Sequence, residues 1–118
     1  MADGDKVFEH RHILHYKLID AAVATDNGVW IDTADYPEGC VHVTIAGQAT
    51  VQIFGSNAAA VPGASTDHAQ LGSDIVASGM FPVANSKNGA PRWIKCKVSA
   101  WTSGAVSAFL VLRRNTAN

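Results

Sequence analysis

Three histidines near the N-terminus are the first residues whose spacing could support chemistry. His10 and His12 would project from one face of an extended segment, and His15 follows closely. Imidazole nitrogens are common ligands of transition metals. No thiol or carboxylate at a recognisable spacing completes a ligand set, however. We therefore expect no metal site and assign these histidines to a subunit contact.

Two further groups contain residue types that catalysts use. The segment Ser65-Thr66-Asp67-His68 holds a hydroxyl, a carboxylate and an imidazole, but hydrolytic triads are assembled from distant segments. Asp32 and Asp35 could serve as acid and base, yet they lie at a strand end and a turn. No nucleophile elbow or phosphate-binding glycine loop is present in the sequence. We expect no enzymatic activity, no catalytic residue and no cofactor.

The composition indicates one folded domain with few charges. The 118 residues are 47% hydrophobic and 16% charged, and the net charge is −1. A chain of this length buries a single core, and so small a net charge disfavours binding to nucleic acid. Cys40 and Cys96 lie far apart, so we expect small buried side chains and no zinc site or disulfide framework.

The sequence shows no signal for export or for a membrane span. The N-terminal residues are polar and charged, without the apolar core of a secretory signal. The longest apolar run, from Ala108 to Leu112, is too short to cross a bilayer as a helix. We expect a soluble protein that is synthesised in a cytoplasm and has no membrane partner.

Short alternating runs between turn signals dominate the chain, and no apolar stripe of helical period occurs. This pattern predicts an all-β protein, an antiparallel β-sandwich of the jelly-roll type, with other β-sandwiches as alternatives. Residues 1–12 lack a pattern and are predicted to be an extended N-terminal arm. Residues 13–118 are predicted to form the single sandwich domain.

Two segments are predicted to be β-hairpins. The first is CVHVTIAGQATVQIF, with its turn at Ala46-Gly47, and the second is PRWIKCKVSAWTSGAVSAFLVLRR, with its turn at Thr102-Ser103-Gly104. In the second hairpin Trp101 would face Ala105. One side of that hairpin would then be wholly apolar and would form core, through Ile94, Cys96, Val98, Ala100, Val106, Ala108, Leu110 and Leu112.

The other side of the second hairpin mixes aromatic and basic residues. Such a composition is typical of a surface that contacts another protein. The predicted interface residues are Trp93, Lys95, Lys97, Trp101, Phe109 and Arg113, together with His10 and His12 of the arm. The alternative is a solvated face, on which lysine stems cover the rings and Arg113 forms a cation–π contact with Trp93.

A resemblance extends over about residues 28–114. The pattern GVWIDTADYPEGCVHVTIAGQATVQIFGSN, followed by APRWIKCKVSAWTSGAVSAFLVLRR, resembles small virion proteins of tailed bacteriophages, in particular capsid decoration (cement) proteins. These proteins have a β-sandwich or jelly-roll core and often form trimers on the head shell. The resemblance implies a homotrimer whose partner is the major capsid protein and whose location is the capsid surface of the virion.

Two other functions fit the same pattern. Phage tail and neck proteins share this rhythm of strands. A carbohydrate-binding module is also compatible, because sandwiches bind glycans through exposed aromatic rings, here Trp30, Trp93 and Trp101.

Overall fold

The computed structural model describes residues 4–10, 13–33, 38–63, 67–84 and 91–113. These residues contain no helix, so none of them forms a helix that could span a membrane. They form nine strands: β1 (Asp5–His10), β2 (Ile13–Ala22), β3 (Ile31–Asp32), β4 (Glu38–Ile45), β5 (Gln48–Ser56), β6 (Ala69–Gln70), β7 (Gly79–Ala84), β8 (Trp93–Ser103) and β9 (Val106–Arg113).

The strands form two antiparallel sheets that pack face to face. Sheet 1 has five strands in the order β1-β2-β9-β4-β7, and sheet 2 has four strands in the order β3-β8-β5-β6. Without β1, the eight strands from β2 to β9 have the order of a jelly roll, in which two Greek keys are wrapped into a double sheet. The predicted all-β sandwich of the jelly-roll type is therefore confirmed.

Both predicted hairpins are wrong. β4 pairs with β9 and β7, whereas β5 pairs with β8 and β6, so the turn at Ala46-Gly47 carries the chain from sheet 1 to sheet 2. The turn at Gly104 carries it back, because β8 belongs to sheet 2 and β9 to sheet 1. The alternation of residues along a strand is the same whether the next strand pairs beside it in one sheet or lies across the core in the other sheet.

The predicted apolar side is core, although it comes from two sheets and not from one hairpin. Seven of its eight residues are buried: Ile94, Cys96 and Val98 on β8, with Val106, Ala108, Leu110 and Leu112 on β9. Leu14 and Leu18 of β2, Val41 and Val43 of β4, and Val51 and Ile53 of β5 belong to the same cluster. The two inward faces thus close one core between the sheets.

The eighth residue, Ala100, is exposed. The register between β5 and β8 shifts by one residue, since Val51 pairs with Val98 while Thr50 pairs with Ala100. A β-bulge of this kind reverses the inward and outward order beyond it. Ala100 therefore turns outward, and Trp101 turns inward and packs against the core.

Half of the predicted N-terminal arm is a strand of the domain, and residues 1–3, 11 and 12 lie outside the described residues. Residues 5–10 form β1, which is antiparallel to β2 at the edge of sheet 1, and the amide of Gly4 hydrogen bonds to the carbonyl oxygen of Lys17. Pairing with β2 thus holds this segment without any partner molecule. The opposite edge of sheet 1 is β7, which contains Pro82, a residue tolerated at sheet edges because it lacks an amide donor.

The two crossing turns contact each other at one end of the sandwich. The amide of Ala46 donates to the carbonyl oxygen of Ala105 at 3.0 Å. Gly104 has a φ of 80°, and a Cβ atom there would lie 2.4 Å from the amide nitrogen of Gly47. This end of the sandwich therefore requires glycine both for its left-handed backbone and for the close approach of two chains.

We expect Gly104→Ala to destabilise the fold more than Gly72→Ala does. Both glycines have a similar positive φ, but a Cβ atom at Gly72 would have no neighbour within 4 Å. Backbone strain alone costs roughly 1–2 kcal/mol, and the overlap at Gly104 adds roughly 1–3 kcal/mol. Urea denaturation of both variants measures the difference. Equal losses of unfolding free energy would show that the two turns are not in close contact.

Candidate interaction surfaces

The predicted mixed face is divided between two opposite surfaces of the protein. Lys95 and Lys97 alternate with the buried residues of β8 and lie on the outer face of sheet 2. Phe109 and Arg113 alternate with the buried residues of β9 and lie on the outer face of sheet 1. Because the core separates these faces, the six hairpin residues do not form one interface.

Trp93 is a structural residue and not an exposed anchor. Only 8% of its surface is exposed, and its indole nitrogen donates a hydrogen bond to the carbonyl oxygen of Ala58 at 3.0 Å. The guanidinium group of Arg92 lies 5.3 Å from the centre of its ring. The predicted contact between Trp93 and Arg113 is wrong, since the two residues belong to different sheets.

Trp101 is half-buried and also has a structural partner. Its indole nitrogen donates to the carbonyl oxygen of Gly104 at 2.7 Å, which braces the crossing turn. Its predicted neighbour, Ala105, lies beyond that turn, and its partner across sheet 2 is Ala49. Of the three tryptophans considered for sugar stacking, two are therefore used in packing.

Two of the three N-terminal histidines lie within the described residues. His10 pairs through its backbone with Ile13, and His12 lies outside the described residues. His15 is half-buried on the outer face of sheet 1. Within the described residues, no group of three histidine, cysteine, aspartate or glutamate side chains is arranged to hold a metal ion.

The residues that could have formed a catalytic group have local roles. His68 Nδ1 lies 2.9 Å from Asp67 Oδ1, and Ser65 and Thr66 lie outside the described residues. Asp32 is exposed and lies 3.5 Å from Arg92, and Asp35 is also outside the described residues. The contact between Asp67 and His68 holds a loop, and the contact between Asp32 and Arg92 holds the edge strand β3.

A cluster of aromatic rings around one lysine occupies the outer face of sheet 2. The ammonium group of Lys95 lies 4.9 Å from the ring centre of Trp30 and 5.8 Å from that of Phe54. The ring of His68 meets both aromatic rings edge-on, at centroid distances of 5.3 and 5.5 Å. We call Trp30, Phe54, His68, Lys95 and Lys97 the aromatic–basic face.

Strand pairing and burial set the properties of this face. Lys95 and Phe54 are cross-strand partners on β8 and β5, so the cation lies beside the ring by register. Burial lowers the pKa of Lys95, and the positive charge of Lys97 lowers it further. Desolvation of this kind strengthens a cation–π contact. The aromatic–basic face thus carries two ammonium groups, one of them partly desolvated among aromatic rings.

Polar residues border the aromatic–basic face on the side of β6. The amide nitrogens of Gln52 and Gln70 both donate to Asp74 Oδ1, at 3.0 and 2.8 Å. Both hydrogen bonds lower the pKa of Asp74, and the one from Gln52 has the larger effect. The network keeps the carboxylate ionised and fixes two long side chains at the border.

A shallow pocket of about 370 Å³ lies beside His68. Its polar lining is engaged within the protein: the hydroxyl of Ser56 donates to the carbonyl oxygen of Asp67, and Asn57 Oδ1 accepts from the amide of Arg92 at 3.0 Å. These bonds connect two loops to the end of β5. The pocket therefore marks where the loops meet.

The outer face of sheet 1 has an apolar centre, which the sequence reasoning missed. Register places Pro82, Cys40, Val111 and His15 in one row across β7, β4, β9 and β2. The next outward row contains Met80, His42, Phe109 and Lys17. The alternation of residues correctly predicted that His42 faces outward. Only the pairing of strands shows that β4 lies beside β9.

Phe109 lies at the middle of this second face. The imidazole ring of His15 meets it edge-on at 5.4 Å, and the ammonium group of Lys17 lies 5.1 Å from its ring centre. Lys17 also contacts Asp20 at 2.6 Å. Among the described residues, the buried Nε2 atom of His15 has no hydrogen-bond partner. The ring of His15 is thus packed as a largely apolar body beside Phe109.

The two cysteines differ in accessibility. Cys40 is half-buried on the outer face of sheet 1, and Cys96 is fully buried in the core; both are free thiols. Burial raises the pKa of Cys96 to about 12. The expectation of a small buried side chain is met at Cys96 and only in part at Cys40.

We expect iodoacetamide at pH 8.5 to modify Cys40 and to spare Cys96 in the folded chain, at a protein concentration low enough to keep it monomeric. The thiolate is the reactive form, and burial keeps Cys96 protonated and inaccessible. Mass spectrometry should show one adduct in buffer and two in denaturant. Rapid modification of Cys96 in native protein would contradict its place in the core.

The fold is similar to that of a solved phage-derived structure. The crystal structure of SPBc2 prophage-derived protein YomS matches over 92% of this chain and 98% of that chain, with a TM-score of 0.64 and 11% sequence identity. At this level of identity the similarity concerns the fold. No protein-family model and no curated protein sequence matches the chain.

Proposed function

We propose that this chain is a structural protein of a tailed-phage virion, and that it binds and stabilises the outer surface of the capsid without catalysis. The observation that supports this proposal most directly is that a prophage-derived protein has a similar fold over nearly its whole length. The resemblance of residues 28–114 to capsid decoration proteins supports the capsid as the location and the major capsid protein as the partner.

We assign the capsid contact to the aromatic–basic face. Trp30 and Phe54 supply aromatic area, Lys95 supplies a charge between them, and Lys97 adds a second charge on the same side of β8. Aromatic anchors with a polar border are typical of interfaces between proteins that fold separately. Cross-strand pairing holds Lys95 beside Phe54, and the ring of His68 packs against Trp30 and Phe54, so these side chains lose little conformational entropy when the face binds.

The proposed role requires only binding energy. A protein that contacts two neighbouring capsid subunits adds its own binding free energy to the contact between them, and it thereby opposes their separation. Many copies on one shell combine weak individual contacts into a large total effect.

The test is binding to purified heads of the encoding phage that lack this protein. We expect the double variant Lys95→Glu with Lys97→Glu to bind at least about tenfold more weakly, because charge reversal at an interface costs several kcal/mol. The matched control, Lys95→Arg with Lys97→Arg, keeps both charges and should bind like the original chain. Co-sedimentation with heads measures both.

Other outcomes of the same assay would point elsewhere. Failure of the original chain to bind heads would refute the capsid role. Binding to isolated tails or necks, in a few copies per particle, would support the second virion function. Binding to a panel of glycans, abolished by Trp30→Ala, would support the carbohydrate-binding alternative.

A further inference from the structure

We propose that the outer face of sheet 1 binds the same face of a second copy of this chain, and that the protein is a two-fold symmetric dimer. The axis runs along the strands, between β9 and β4. The inference rests on the register of these two strands and does not depend on the capsid function.

The composition of this face is unusual for the solvated side of a sandwich. Outward positions of an antiparallel sheet are ordinarily polar. Here the two central rows contain Phe109, Val111, Cys40, Met80 and Pro82, and Met80 is 62% exposed. Charged residues lie at the border of these rows, which is the arrangement of an interface core with a polar rim.

The face is complementary to itself about the proposed axis. Arg113 and Glu38 are cross-strand neighbours on β9 and β4, and both are exposed. A two-fold axis between these strands exchanges them, so Arg113 of one copy lies over Glu38 of the other, twice per dimer. Isologous contacts require this kind of self-complementary pattern.

The same axis also matches the apolar rows. Val111 lies over Cys40 of the second copy, which is its cross-strand neighbour within sheet 1. Phe109 lies over His42 of the second copy for the same reason. Between the two central strands, apolar residues therefore meet apolar residues, the aromatic ring meets an imidazole, and the opposite charges meet at one end. In the outer strands, His15 and Lys17 of β2 lie over Pro82 and Met80 of β7 in the second copy.

The area is that of a small dimer interface. About an axis between β9 and β4, four strands overlap, with β2 over β7 and β9 over β4. Four strands at ~4.8 Å and eight residues at ~3.4 Å give a flat area of roughly 520 Å². Side chains corrugate this surface, so its accessible area is larger and comes close to the ~600 Å² per partner at the lower end of standard interfaces.

A dimer of this form has a consequence for the proposed function. The two sheet 1 faces are buried at its centre, so the two aromatic–basic faces point outward in opposite directions. A dimer seated between neighbouring capsid subunits would contact one subunit on each side. The bridging contact proposed above would then arise from symmetry, and its avidity would be lost in a monomer.

The first test is the mass of the full chain in solution, measured by light scattering over a range of concentrations. We expect a dimer of twice the chain mass of 12.4 kDa. A monomer throughout that range, or the homotrimer that the resemblance to decoration proteins implies, would overturn the proposal. This measurement uses no capsid, so its outcome is independent of head binding.

The second test is a charge exchange at the rim. Glu38→Arg should weaken dimerisation at least about tenfold, because it places two arginines against each other twice per dimer. Combining Glu38→Arg with Arg113→Glu restores opposite charges across the axis and should return the dissociation constant to within about threefold of the original. A double variant as weak as the single one would overturn the proposed axis.

The matched control separates dimerisation from folding. Val111→Lys places a charge at the centre of the face and should give a folded monomer, whereas Lys97→Glu on the opposite outer face should leave the dimer unchanged. Urea denaturation at a low protein concentration checks that each variant is folded. A folded Val111→Lys variant that remains dimeric would exclude this face.

Discussion

Burial of the two inward sheet faces against each other is the interaction on which the rest of this structure depends. Leu110 and Leu112 of sheet 1 and Ile94 and Val98 of sheet 2 are fully removed from solvent. Burying each such side chain contributes about 1.5–3 kcal/mol. Because side chains alternate along a strand, this burial also turns Lys95 and the other residues between the buried ones outward. The outer faces are therefore a consequence of the core.

The jelly-roll topology determines which outward residues become neighbours. All connections between described strands cross from one sheet to the other, apart from β1 to β2 and β5 to β6. Consecutive strands such as β8 and β9 consequently contribute to opposite surfaces. A sandwich built in this way has two different outer faces and can contact two different partners, whereas a hairpin exposes all its outward residues on one side.

The two faces suit different kinds of contact. The aromatic–basic face carries Lys95 among packed rings and Lys97 beside it on the same strand, which fits a partner that folds separately. The outer face of sheet 1 has an apolar centre with Arg113 and Glu38 at its rim, which fits a permanent contact between copies. The proposed capsid contact and the proposed dimer would each use one of these faces.

Strand periodicity was readable from the chain alone, because alternation is a local property with a period of two residues. It predicted the β-sandwich and correctly placed Cys96, Leu110 and most of their alternating neighbours inside, with Ala100 as the exception. Tertiary structure decided the pairing of strands, which depends on contacts between distant residues. Only that pairing brought Phe54 to Lys95, separated Trp93 from Arg113, and turned Ala100 outward through a bulge. The surfaces that could bind partners follow from this strand pairing. An alternating strand buries its apolar side equally well whichever strand it pairs with, so alternation alone does not determine the pairing.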